Sequence, residues 1–111
     1  MKLCERDKGL LRKMLDEIQY MENDLASVAF TEFMKSERIK RATAMTLINI
    51  GELARRLSKK LRAATDIPFD DIIGLRDHTA HGYEILLFDQ IWDLIEVDVP
   101  ELKTKISQLI N

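Results

Sequence analysis

Both histidines of the chain fall in one short stretch, Leu75-Arg76-Asp77-His78-Thr79-Ala80-His81-Gly82-Tyr83, together with an arginine, a carboxylate and one of two tyrosines. If the stretch is helical, Asp77 and His81 are four apart and share a face. The carboxylate can then hold one ring nitrogen and raise the basicity of the other, which is an acid–base arrangement. Arg76 poses a different problem. At 100° per residue, Phe69, Ile72, Ile73, Ala80 and Tyr83 all lie within about 60° of it, on the face that should be buried. A guanidinium there is strongly destabilising unless it is paired or lines a site.

Arg76 and His81, five apart, diverge by about 140° on an ideal helix. Three arrangements bring them together: Arg76 reaches around, the helix ends before His81, or a second chain completes the site. Two copies across a two-fold axis would supply two imidazoles, one to take a proton and one to give it, with guanidinium groups between them for anionic oxygens. Those are the parts needed for metal-free RNA cleavage. Other readings of the same residues stay open. His78 and His81 are three apart and could ligate a metal if a dimer supplied further ligands. Tyr83 could be a buried ring with a bonded hydroxyl, and Arg76 could be pinned to a carboxylate from another helix.

The elements that must position this stretch are read from apolar spacing. At 111 residues, the chain has room for one core, so residues 1–111 are expected to form a single domain. Leu11, Met14, Ile18, Met21, Leu25 and Val28 draw one stripe down a first helix from about Glu5 to the high twenties. The phase is lost between Phe30 and Ser36, where a turn or short helical piece is expected. Ser36 is a plausible N-cap for a second helix, with Glu37 in its first turn. Ile39, Ala42, Thr46, Ile50, Leu53, Leu57 and Leu61 predict that this helix runs about six turns. Its end carries Arg55, Arg56, Lys59, Lys60 and Arg62. As a solvated helix end these cations complement the dipole, and as a functional patch they contact phosphate.

Pro68 suits the first turn of a third helix, with Asp66 close enough to help cap it, and Gly82 suits its end. A fourth helix from about Phe88 keeps its stripe of Ile91, Ile95, Val99, Leu102, Ile106 and Leu109 through Pro100, which predicts one helix kinked at that proline. No segment alternates as a strand would. The expected fold is therefore all-α, an antiparallel four-helix bundle. Apolar residues beyond the stripes, including Ile48, Ile73, Leu86, Leu87, Trp92 and Leu94, predict a dimer interface.

Charge and cysteine usage narrow the function classes. A formal charge of −2 argues against a surface that grips nucleic acid all over, leaving room for a local basic patch. Cys4 is the only cysteine, so no intrachain disulfide forms and a reducing compartment is expected. No apolar run approaches a membrane span and no secretory signal opens the chain, which predicts a cytoplasmic protein.

The stretch from Arg76 to Tyr83 resembles the Arg-x4-His-x-Tyr signature of HepT-like toxins, members of the HEPN superfamily of small helical ribonucleases. The likeness extends to Ile50-Gly51-Glu52, to Ile67-Pro68-Phe69, and to Ile91-Trp92 followed by Val99-Pro100-Glu101-Leu102. It implies a HEPN-like four-helix-bundle homodimer acting as a metal-independent endoribonuclease with no cofactor, encoded with a small nucleotidyltransferase antitoxin called MntA. Carried over by motif position, Arg76 and His81 are the catalytic pair and Asp77 the polar residue beside the arginine. Tyr83 is the residue to which the antitoxin attaches AMP. The family often has Asn where Asp77 stands, which puts extra negative charge near a phosphate site. The competing function class is a noncatalytic helical partner of the nucleotidyltransferase, which would dock it and leave RNA whole.

Overall fold

The computed structural model describes residues 2–81 and 88–111, the side chains of 76–81 excepted. All regular structure among the described residues is helical. The long helix α1 spans Glu5–Leu25 and the short α2 spans Phe30–Lys35. They are followed by α3 over Glu37–Arg55, α4 over Lys59–Ala64 and α5 over Phe69–His81. The last helical run is α6, Phe88–Asp93, then a π segment, Leu94–Asp98, then α7, Val99–Ile110. Four long helical runs make the bundle. Helix α3 packs against both α1 and α5, and α1 also packs against α7.

The first stripe folds as its spacing predicts. Leu11, Met14 and Ile18 are wholly buried, and Met21 nearly so. Helix α1 closes at Leu25, and Ser27 turns the chain in the left-handed region at φ 64°. The short piece expected between Phe30 and Ser36 is α2. Ser36 then caps α3, its Oγ accepting from the Ile39 N–H at 3.1 Å.

The second helix departs from its expected length. The stripe does run on through Leu57 and Leu61, both buried. The backbone does not: α3 ends at Arg55, and Ser58 caps a new helix, its Oγ accepting from the Leu61 N–H at 3.2 Å. The cause is Asp7. Its carboxylate accepts from the Ser58 N–H at 3.0 Å and the Ser58 hydroxyl at 2.7 Å, which ties this corner to the start of α1. Two short-range bonds, Arg56 N–H to the Leu53 carbonyl and Leu57 N–H to the Ala54 carbonyl, tighten the end of α3 before the break.

Pro68 immediately precedes α5, and its carbonyl accepts from the Ile72 N–H. Asp66 bonds Lys105 at 3.3 Å, tying the connection before α5 to α7. In the last run the helical path continues from α6 into α7, and its irregularity is the π segment that precedes Pro100. There the Val99 N–H bonds the Leu94 carbonyl, five residues back. Pro100 lies in the first turn of α7, where its missing N–H costs least. The expected single helix through Pro100 is present as one continuous run, with this wider turn just before the proline.

Two apolar clusters hold the bundle. The larger gathers Leu11, Met14, Ile18, Ile50, Phe69 and Ile106 between α1, α3, α5 and α7. A smaller one forms where α2 meets α6, around Phe33, Leu47, Phe88 and Ile91. Trp92 joins it, its ring 5.0 Å from Phe33 and edge-on to Phe30 at 5.8 Å. Part of the apolar surplus expected to serve a dimer is therefore spent within the chain: Ile73 and Leu94 also pack on the larger cluster. Leu86 and Leu87 lie outside the described residues.

Candidate functional site

Helix α5 carries the motif, and its sequence explains how it is seated. Asp70 and Asp71 occupy its positive end. Phe69 is buried, and Ile72 and Ile73 pack on the larger cluster. These residues fix which side of α5 faces the core, and Arg76 stands at the helical register one turn after Ile72 and Ile73. The backbone stays helical through His81. That removes one of the three arrangements for Arg76 and His81, since the helix does not end before the histidine. Asp77 and His81 stand one turn apart on the same helix, as the acid–base reading requires. Gly82 and Tyr83, with the expected helix end and AMP site, lie outside the described residues.

Helix α3 shares a groove with the motif-bearing helix. Leu47 and Ile50 of α3 and Ile72 and Leu75 of α5 line the same groove. Helices α3 and α5 pack directly against each other. Both Thr43 and Thr46 are buried on this side of α3.

The basic candidates occupy the C-terminal end of α3. Arg55 and Arg56 close the helix and its cap, Lys59 opens α4, and all three are exposed. The fold adds a cation that spacing did not bring forward. Lys13 of α1 lines a polar cleft of about 380 Å³ with Arg56 and Tyr20. Asp16, Glu17 and Glu52 line the same cleft, so its field is mixed. Glu17 is engaged there, accepting from the Asn49 side-chain amide at 2.6 Å.

Asp7 is the one buried carboxylate among the described residues. Burial by itself would raise its pKa. The Ser58 hydroxyl and N–H, the Cys4 contact and the Arg6 charge outweigh burial and hold it below the ordinary carboxylate value. Its partners are structural groups at a helix cap, not reactive ones. Among the described residues no group of three or more His, Cys, Asp or Glu is placed to hold a metal ion. No helix among them is long and apolar enough to cross a membrane.

Comparison with known proteins agrees with this helical frame. The sequence profile of the HepT-like family, described as ribonuclease HepT-like, matches residues 14–109. The chain belongs to the HepT-like ribonuclease family. It is 28% identical over 102 residues to a protein of Caldanaerobacter subterraneus subsp. tengcongensis provisionally named an RNase, covering 91% of each chain. A similarly named protein of Methanocaldococcus jannaschii is 28% identical over 102 residues, covering 88% of this chain and 84% of its own. The "Probable ribonuclease HepT" of Thermococcus cleftensis is 24% identical over 103 residues, covering 92% and 94%. No solved structure is significantly similar to the chain.

Proposed function

We propose that the chain is a metal-independent endoribonuclease and the toxin of a toxin–antitoxin pair, acting in the cytoplasm as a homodimer. The observation that carries this reading is membership of a ribonuclease family in a chain whose Arg76, Asp77 and His81 stand on one continuous helix.

In the proposed reaction two protomers bring their Arg76 and His81 residues to one composite site. A neutral His81 imidazole takes the proton from a ribose 2′-hydroxyl, whose oxygen attacks the adjacent phosphorus. The Arg76 guanidinium groups hold the non-bridging oxygens as negative charge gathers there. The protonated His81 of the second protomer gives its proton to the departing 5′-oxygen. The products are a 2′,3′-cyclic phosphate and a 5′-hydroxyl. Asp77, one turn before His81, orients the imidazole and favours its protonated form. Arg55, Arg56 and Lys59 hold the RNA backbone away from the cut. A small nucleotidyltransferase of the MntA kind would silence the site by placing AMP on Tyr83.

The chemistry of the ends tests the mechanism. RNA fragments made by the chain in EDTA should carry 2′,3′-cyclic phosphate by mass spectrometry. Fragments bearing 5′-phosphate would show attack by water in place of the 2′-hydroxyl and defeat the proposal.

A further inference from the structure

A groove of about 480 Å³ lies between α5 and the run from the π segment into α7. Its floor is apolar and finished: Leu47, Ile50, Ile67 and Val99 are buried there. Its walls are not. Ile72 and Leu75 on one side and Leu94 and Leu102 on the other remain partly exposed.

The rim has a definite sign. Asp66 and Asp71 stand on the α5 side, Asp98 and Glu101 on the other, and Lys105 is the only cation lining the groove among the described residues. Lys105 is already engaged, bridging Asp66 and Glu101 at 3.3 Å each. Asp71 and Asp98 are exposed across the mouth from each other. The described rim repels a phosphate backbone and attracts cations.

The π segment supplies an independent pointer. Turns of this kind inside α-helices are rare and concentrate at functional positions. Here the bond from the Val99 N–H to the Leu94 carbonyl brings two residues five apart onto one side of the run. Both line the groove, and Asp98 beside them stands on its rim. An ordinary α-helical turn would rotate Leu94 and Val99 about 140° apart.

We propose that this groove is a docking site for one amphipathic helix of a protein partner, bearing leucine-sized anchors flanked by lysine or arginine. The anchors fill the space between the half-exposed walls, as a helix laid in an interhelical groove does. The flanking cations meet Asp71 and Asp98. The inference stands on the groove itself and is independent of the ribonuclease reading.

The probe is a capped, fluorescein-labelled sixteen-residue helix of Ala, Leu and Lys, with leucines on one face. Matched peptides carry Glu for Lys or Ala for Leu. The full chain should bind the Leu/Lys peptide at least tenfold more tightly than either control. The Asp71→Lys, Asp98→Lys double variant should weaken it at least tenfold, with an unchanged thermal melt. Amide shifts on titration should cluster on residues 69–75 and 94–105. Shifts clustered elsewhere, equal binding by wild type and the double variant, or a second copy occupying the groove in sedimentation and cross-linking would each overturn the proposal.

Discussion

Asp7 and Ser58, separated by 51 residues of chain, are joined by two hydrogen bonds, 3.0 Å from the Ser58 N–H and 2.7 Å from its hydroxyl. The pair converts what spacing reads as one long helix into α3 and a separately capped α4. With Asp7 only 2% exposed, its charge is neutralised mostly by these bonds. Asp7→Ala leaves the corner without its acceptor and is expected to cost about 2–3 kcal/mol in chemical denaturation.

The same pair sets a pH dependence. The folded-state pKa of Asp7 is lowered from 3.8, because Ser58, Cys4 and Arg6 together outweigh the burial that would raise it. Its contribution to stability is therefore fully present above the unfolded value and is lost as pH falls through the lowered folded value. Wild type should lose more stability than Asp7→Asn in melts between pH 5 and pH 2. An identical acid profile for the two would rule out the linkage.

Phe33 anchors the smaller cluster, wholly buried against Trp92 and Phe88 at ring distances of 5.0 and 6.1 Å. Phe33→Ala opens a cavity between α2 and α6 and is expected to cost about 3–5 kcal/mol. Near-ultraviolet circular dichroism should lose the Trp92 signal before the helical signal falls.

Arg55, Arg56 and Lys59 are exposed where α3 ends and α4 begins. Replacing all three with Gln should raise KM for RNA about tenfold and leave kcat within about threefold. The slope of log affinity against log salt should fall by about 2, as expected for three lost phosphate contacts on a single strand. A large fall in kcat with unchanged KM would assign these residues to the chemistry instead.

A composite site needing both imidazoles has a distinctive dose response. Mixing equal amounts of wild type and His81→Ala under subunit exchange should leave about one quarter of the activity, since only wild-type pairs are intact. Half the activity would indicate that each protomer works alone.

The apolar stripes and Ser36 place most of the bundle from sequence alone. What spacing missed has a common cause. The break at Arg56–Ser58 is imposed by a carboxylate from α1, and nothing local in the sequence distinguishes Leu57 and Leu61 from a continuing stripe. The turn at Ser27 uses a left-handed residue that is neither Gly nor Pro, so loss of phase was its only trace. Around Pro100 the stripe keeps its phase, and hydrophobic spacing gives no sign of the π turn just upstream. At the candidate site, Arg76, Asp77 and His81 stood out by residue type and register. Lys13 did not, because its place beside Arg56 exists only once α1 lies against α3.

Metal-free chemistry on RNA by His81 is directly measurable. The measurement is cleavage of a broad RNA panel in EDTA by the dimer-sized fraction, wild type beside His81→Ala and Arg76→Ala, with mass spectrometry to exclude AMP on Tyr83. Unmodified wild type should cleave, either variant should lose at least a hundredfold, and helical content and dimer size should be unchanged. Undiminished cleavage by His81→Ala, or intact RNA with unmodified wild type, would contradict the proposed chemistry.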